Sequence, residues 1–154
     1  MQTITLAGGC FWGAEELFRS RDGVVDTEVG YVGGENDQPS YQFHPGHAES
    51  LRVSFDPEIT SESDLYDYFF RIHDPTTLDR QGNDVGSSYR SAIFYENDRQ
   101  KQLAEAAIER NQSRWKQPIV TKLEPLTKFW SAEDFHQDYL QKNPGGYTCH
   151  YERW

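Results

Sequence analysis

The sequence predicts an α+β fold, a two-layer sandwich around a ferredoxin-like β-α-β-β-α-β core. Apolar residues alternate along some segments and recur at helical spacing along others, and the order of these segments matches that core in its first six elements. Turn signals separate the segments, namely Gly8-Gly9, Gly33-Gly34 and Asp56-Pro57. A length of 154 residues fits one domain, because a domain contains about 150 residues on average.

The six core elements follow from local patterns of apolar residues. They are a strand at 3–7, a helix at 11–20, strands at 24–32 and 50–55, a helix that starts near Ser61 or Ser63 and reaches Ile72, and a strand at 89–95. The second helix must end before Pro75, because the residue before a proline avoids helical backbone angles. Residues 74–88 have little periodicity, so we expect a long loop, which is typical of functional regions.

Three further elements follow the predicted core. They are a helix at 98–115, a strand at 119–126, and a helix that Ser131 caps and that extends to Leu140. Residues 143–146, Asn-Pro-Gly-Gly, then interrupt regular structure. We therefore expect a single catalytic domain over residues 1–154, with a mobile C-terminal tail at about 143–154.

The acidic composition argues against two classes of partner. The chain has 15 Lys and Arg against 25 Asp and Glu, a formal net charge of −10. Such a charge repels phosphate backbones and anionic membranes, so we expect neither nucleic acid nor a membrane as partner. The apolar runs fall far short of the about 20 residues that cross a bilayer, and residues 1–7 lack the basic flank of a secretory signal. We therefore expect a cytoplasmic protein, and a monomer.

Cys10 is the strongest candidate for chemistry. It follows Gly8-Gly9 and begins a predicted helix, whose N-terminus carries about half a positive charge and free amide donors. Both features favour a thiolate, so we expect the pKa of Cys10 to lie below the free value of about 8.5. Phe11 and Trp12 offer an apolar wall beside it. Most free cysteines are buried and inert, but the glycines and the helix start favour a nucleophile here.

A nucleophilic cysteine needs a group that handles protons. The residues alone leave six candidates open: His44, His47, Glu49, His73, Asp84 and His136. The hydroxyls of Tyr41, Tyr89 and Tyr147 lie in predicted loops or at the ends of elements, where they could donate to a polar oxygen. We expect no metal and no cofactor, because a lone pair of histidines without a nearby cysteine falls short of the usual four zinc ligands.

Five short motifs occur in order along the chain. They are GGCFWG at 8–13, GYVGG at 30–34, GHAE at 46–49 followed by DP at 56–57, DVGSSYRS at 84–91, and AEDFHQ at 132–137 with the later pairs YL, NP and GY. Together they resemble the blocks of the type A peptide methionine sulfoxide reductases, and the resemblance runs along the whole chain. It implies an α+β sandwich around a ferredoxin-like core. It also implies an enzyme that reduces methionine-S-sulfoxide, free or in oxidised proteins, to methionine.

The resemblance implies roles for the reacting groups. Cys10 would attack the sulfoxide sulfur, and Glu49 would protonate the sulfoxide oxygen. Tyr41 and Tyr89 would share this proton donation through their hydroxyls. A sulfoxide oxygen leaves only when it is protonated, so the acid needs a raised pKa, and burial near aromatic residues would raise the pKa of Glu49.

The resemblance also implies the residues that surround the substrate. Phe11 and Trp12 would hold its methyl group. Asp84 and His136 would support the site, and Tyr147 would place an aromatic ring near the pocket.

Recycling of the enzyme would use the second thiol. A sulfenic acid on Cys10 condenses with a thiol to a disulfide, and Cys149 is the only other cysteine. Thioredoxin is the usual reductant in the family that the chain resembles. Thr148 separates Tyr147 from Cys149, whereas many relatives have the two side by side, so the chain looks like a compact variant with two cysteines.

Two other functions are compatible with parts of the pattern. A thiol peroxidase would also use a reactive cysteine and a distant second one, but it would not need an aromatic wall. A redox-sensing or peptide-binding module would bind a sulfoxide without consuming it. Methionine formation in the presence of a dithiol distinguishes the three.

Overall fold

The computed structural model describes residues 1–154 and has eight strands and four α-helices. The strands are β1 (Gln2–Gly8), β2 (Val24–Val32), β3 (Ala48–Phe55), β4 (Arg80–Gln81), β5 (Asp84–Val85), β6 (Ser91–Tyr95), β7 (Lys122–Pro125) and β8 (Trp130–Ser131). The helices are α1 (Phe11–Arg19), α2 (Glu62–Ile72), α3 (Asp98–Gln112) and α4 (Tyr139–Lys142), with 3-10 turns at Ser87–Tyr89 and Asp134–His136. None of the helices has the length and apolar character that crossing a membrane requires.

A six-stranded sheet in the order β7-β6-β1-β3-β2-β8 forms the centre of the fold. Its inner four strands, β6-β1-β3-β2, pair antiparallel and belong to the β-α-β-β-α-β core. At the edges, β7 joins parallel to β6, and β8 joins antiparallel to β2. The predicted α+β class with a ferredoxin-like core is therefore confirmed.

The two faces of the sheet are covered unequally. A cluster of 19 buried residues joins one face to α1, α2 and α3, and it contains Ile4 and Leu6 of β1. A cluster of five residues, which includes Ala7 and Phe94, lies on the other face beneath Leu126 and Phe129. Because side chains of a strand alternate between faces, the helical layer lies against the Leu6 side. This layer places the start of α1 over the end of β1.

The predicted helix from Ser131 to Leu140 is wrong. Ser131 pairs with Gly30 in the sheet, and regular helix occurs only at Tyr139–Lys142. The side chain of Gln137 donates to the carbonyls of Val29 and Ala132 and accepts from the Val29 N–H. Asp138 has a left-handed backbone with φ of 55°, which a helix does not tolerate. Tertiary pairing with β2 therefore outweighs the helical pattern.

The tail at 143–154 has no helix or strand, and it folds back onto the protein. His150 is 6% exposed. Further along, the Arg153 N–H donates to the Arg71 carbonyl at 3.0 Å, and the Tyr68 hydroxyl donates to Glu152 at 2.9 Å. The end of the tail thus packs against α2, and the mobility of the tail stays a prediction.

Candidate active site

Cys10 occupies the N-cap position of α1 and is 5% exposed. Burial raises the pKa of its thiol well above the usual range, and the charge of Glu49 raises it further. A backbone N–H, that of Trp12, lowers the pKa only in part. The expected low pKa of Cys10 is therefore wrong for the enzyme without substrate, because burial outweighs the helix N-terminus. The thiol is protonated at neutral pH.

Glu49 lies on β3 with its side chain beside the start of α1. It is 1% exposed, and its Oε1 accepts from the Phe11 N–H at 3.2 Å. Burial raises the pKa of Glu49 to about 8, the Phe11 N–H opposes this rise, and Asp84 adds to it. The expected rise in the pKa of Glu49 is confirmed. A carboxyl with this pKa keeps its proton at neutral pH and can act as an acid.

Two tyrosine hydroxyls share the surroundings of Cys10 and Glu49. Burial is the main cause of the raised pKa of both Tyr41 and Tyr89, and Glu49 contributes to each. A hydrogen bond with Tyr89 lowers the pKa of Tyr41 in part. Both hydroxyls therefore stay protonated and can donate hydrogen bonds. Tyr89 belongs to the 3-10 turn rather than to the predicted strand.

The two aromatic residues that follow Cys10 differ in exposure. Phe11 is 1% exposed and packs under Tyr31 and His136, with ring centroids 5.7 Å and 5.2 Å away. Trp12 is half-buried, and it stacks on Tyr139 at 3.8 Å. Of the predicted apolar wall, Trp12 is thus the accessible part and Phe11 lies behind it.

His136 fixes the orientation of the Trp12 ring. The indole N–H of Trp12 donates to His136 Nδ1 at 2.9 Å. An indole only donates, so the neutral imidazole carries its proton on Nε2, and this buried atom has no hydrogen-bond partner. Burial lowers the pKa of His136, partly offset by Glu133, which keeps the ring neutral. His136 therefore holds the Trp12 ring through this hydrogen bond, and its supporting role in the reaction stays a prediction.

Asp84 contacts two residues of the tail, Tyr147 and Cys149. The Tyr147 hydroxyl donates to Asp84 Oδ2 at 3.1 Å, and the Cys149 thiol lies 4.0 Å from the same oxygen. Desolvation, Cys149 and Asp84 raise the pKa of Tyr147 to about 12. Burial and Asp84 also raise the pKa of Cys149, while the backbone N–H of Cys10 lowers it. The structure thus brings together the two free thiols, which are 139 residues apart in sequence.

The remaining candidate histidines have structural contacts. His73 bonds to the Phe69 carbonyl and to Ser91 Oγ. His47 accepts from the Gly34 N–H and bonds to the Asn36 carbonyl. His44 bonds to Ser88 Oγ and stacks on the Tyr31 ring at 4.9 Å. None of the three hydrogen-bonds to Cys10 or Glu49.

Glu133 is a residue that the sequence analysis missed. Its carboxylate accepts from the Tyr31 hydroxyl at 2.9 Å and from the Tyr41 N–H at 3.0 Å. Although burial acts to raise it, these hydrogen bonds hold the pKa of Glu133 below its usual value. Glu133 thereby fastens the loop that carries Tyr41. The one sequence feature that could have indicated Glu133 is its position in the motif at 132–137.

A cavity of about 1050 Å³ lies away from this site. It is lined by polar side chains of α2 and α3, by the end of α1 and by Trp154, and it contains none of the predicted site residues. The position of this cavity therefore does not coincide with the predicted site residues.

Comparison with known proteins agrees with this geometry. Residues 2–153 match the family model described as peptide methionine sulfoxide reductase. The chain is 55% identical over 150 residues to the peptide methionine sulfoxide reductase MsrA of Nocardia farcinica, covering 96% of this chain and 88% of that protein.

Solved structures give the same result. Mxr1 from Saccharomyces cerevisiae in its reduced form superposes with a TM-score of 0.93 at 43% identity, covering 99% of this chain and 92% of that one. Mxr1 in complex with Trx2 superposes with a TM-score of 0.69 at 35% identity, covering 99% and 90%. The chain belongs to the peptide methionine sulfoxide reductase family, and it is an oxidoreductase of the MsrA type that reduces methionine sulfoxide to methionine.

Proposed function

We propose that Cys10 attacks the sulfur of a methionine-S-sulfoxide while Glu49 protonates the sulfoxide oxygen. The observation that carries this proposal is a buried carboxyl with a pKa of about 8 beside a buried thiol. While Glu49 keeps its proton, it adds no negative charge that would oppose ionisation of Cys10. The S–O bond of the substrate breaks, an S–O bond to Cys10 forms, and the thiol proton of Cys10 replaces the one that Glu49 gave up. The products are methionine and a sulfenic acid on Cys10.

Tyr41 and Tyr89 assist by donating hydrogen bonds to the same oxygen. Their raised pKa values keep the protons on the hydroxyls throughout the working pH range. Two neutral donors stabilise the developing negative charge without adding charge to the site.

Trp12, backed by Phe11, contacts the methyl group of the substrate. Its bond to His136 and its stacking on Tyr139 hold the indole in one orientation. A rigid wall on one side of the sulfur admits one arrangement of methyl, oxygen and side chain, which supports selection of the S epimer. Free and protein-bound methionine sulfoxide share these atoms, so both are substrates.

Cys149 completes the cycle. Its thiol attacks the sulfenic sulfur of Cys10, and a disulfide and water form. Movement in the tail at about 143–154 then exposes the disulfide to a reductant. Thioredoxin is the proposed reductant, since one of the similar solved structures is Mxr1 in complex with Trx2. A cycle through two thiols requires a reducing compartment, so we propose a cytoplasmic location.

The test is a quenched single-turnover reaction of the wild type, C149S and C10S with the S and R epimers of an N-acetylated methionine sulfoxide. We expect wild type and C149S to form one equivalent of N-acetylmethionine from the S epimer, and C10S to form none. With thioredoxin, wild type should turn over and C149S should stop after one equivalent. Methionine formation by C10S would refute the role of Cys10, and full thioredoxin-driven turnover by C149S would refute that of Cys149.

A further inference from the structure

His150 is a buried residue that the reaction described above does not use. It follows Cys149 directly and is 6% exposed. One ring nitrogen, Nε2, lies 2.5 Å from the carbonyl oxygen of Gly8, and the other, Nδ1, lies 3.9 Å from the Cys149 sulfur. The ring therefore stands between the second thiol and the turn that leads to the first.

The carbonyl of Gly8 determines which nitrogen carries the proton. A carbonyl oxygen only accepts hydrogen bonds, so Nε2 of His150 must be the donor. Burial lowers the pKa of His150 to about 4, and the ring is neutral at neutral pH. Nδ1 consequently presents a lone pair towards the thiol of Cys149, which can donate to it.

Two glycines, Gly9 and Gly13, form the surface against which Thr148 and His150 pack, and this surface is called the seat below. A Cβ atom at Gly13 would lie 2.5 Å from His150 Nδ1 and would also collide with Thr148 Oγ1. A Cβ at Gly9 would lie 3.4 Å from His150 Cε1. Thr148 closes the seat, because its Oγ1 accepts from the His150 N–H at 3.1 Å. The fit depends on the missing side chain at Gly13 above all.

We propose that His150 is a positioning residue for disulfide formation, which holds Cys149 beside Cys10 through its hydrogen bond to the Gly8 carbonyl. Gly8 is two residues before Cys10, so one bond ties both thiols to the same turn. The inference rests on the proposed roles of Cys10 and Cys149. It adds that Cys149 is already held near Cys10 before the sulfenic acid forms.

The step that His150 would accelerate is balanced without another reactant. The Cys149 sulfur attacks the sulfenic sulfur of Cys10, the S–O bond breaks and the S–S bond forms. The hydroxyl leaves with the thiol proton as water. Holding the two sulfurs in register raises the rate of such a step, and misplacement by about 1 Å lowers it by about 100-fold.

Two substitutions separate the bond to Gly8 from the contact with Cys149. H150Q places an amide nitrogen where Nε2 stands and keeps a donor for the Gly8 carbonyl. H150N places its amide where Nδ1 stands and is too short to reach Gly8. G13A introduces a methyl group where Thr148 and His150 pack, and it leaves the sequence of the tail unchanged. E152Q is the matched control, because it changes a tail residue that contacts Tyr68 instead of the seat.

Each variant is mixed with one equivalent of sulfoxide, quenched over time, and analysed for methionine, for free thiols and for sulfenic acid trapped by dimedone. We expect all four variants to form one equivalent of methionine at the wild-type rate. H150N and G13A should then lose their two thiols about 10- to 100-fold more slowly and should accumulate trapped sulfenic acid. H150Q and E152Q should form the disulfide at the wild-type rate.

The outcomes distinguish this inference from the proposed function. If the wild type forms no equivalent of methionine, the proposed function fails. If methionine forms but H150N closes the disulfide as fast as the wild type, the positioning role is refuted. A disulfide rate in H150Q as low as that in H150N also refutes it, because the Gly8 bond would then not be the cause.

Discussion

Replacing Glu49 with Gln removes the proposed acid while keeping the size and polarity of the side chain. The rise of the Glu49 pKa from 4.5 to about 8 means that ionising this carboxyl in the folded protein costs about 5 kcal/mol more than in water, at about 1.4 kcal/mol for each tenfold change. At pH 7 about nine in ten Glu49 carboxyls carry their proton. We expect E49Q to form methionine about 10²- to 10⁴-fold more slowly at pH 7, the usual loss for a missing general acid.

The assay is the rate of methionine formation in a single turnover without reductant, measured between pH 5.5 and pH 9.5, a window of about four pH units that contains the Glu49 pKa. The wild-type rate should be constant at low pH and fall as pH rises through about 8, because the acid loses its proton there. The E49Q rate should lack this fall. E15Q is the matched control: Glu15 is also 1% exposed and its pKa is raised by burial, but it contacts Thr27 and the Asp138 N–H instead of the site.

Two results would refute this reasoning. One is an E49Q rate equal to that of the wild type at pH 7, which would assign the acid to another group. The other is a wild-type rate that rises through pH 8, near the Glu49 pKa. In that case the ionised carboxylate, and not the acid, would be the active form.

Three further predictions follow from the same contacts. In a C149S background, E49Q should let Cys10 react with iodoacetamide at lower pH, because the charge of Glu49 helps to raise the Cys10 pKa; an unchanged pH midpoint would contradict this. The folded-state pKa of Glu49 lies above its unfolded value, so its contribution to stability is present below about pH 4.5 and is lost as pH rises through about 8. Urea unfolding should therefore show E49Q gaining stability relative to the wild type between pH 5 and pH 9, a window of about four units that spans this loss. E133A leaves the Tyr41 N–H without its acceptor and should lower the free energy of unfolding by about 1–3 kcal/mol and slow methionine formation, whereas wild-type behaviour in both assays would remove Glu133 from the site.

The core of the fold could be predicted because its information is local. The segments that became β1, α1, β2, β3, α2 and β6 each carry their own apolar period and end at their own turn signal. The segment after Ser131 lacks such independence. Its backbone is set by pairing with Gly30 and by the side-chain bonds of Gln137 to β2, and no pattern within residues 131–140 reports those partners.

The sequence pointed to residues that the structure brings together, but it did not reveal their electrostatics. Motifs led to Cys10 and Glu49, Cys149 followed as the only other cysteine, and the structure places both Glu49 and Cys149 near Cys10. The direction of the Cys10 pKa shift was wrong, since the helix N-terminus is visible in the sequence while the depth of burial is not. His150 was missed for a similar reason, because its partner is the carbonyl of Gly8, 142 residues away, and a backbone atom has no sequence signature.

The electrostatics of the site also separate sulfoxide reduction from peroxide reduction. The thiolate and not the thiol is the nucleophile, so a peroxidase benefits from a cysteine that is ionised before its substrate arrives. Here burial raises the pKa of Cys10, and the resting thiol is protonated. A sulfoxide needs a proton in order to react, and Glu49 holds one with a pKa of about 8. In the proposed mechanism, Cys10 therefore reacts when a bound oxygen can take that proton. A protein that acts where oxidants are present gains from this order of events, because its own thiol stays unreactive until a sulfoxide occupies the site.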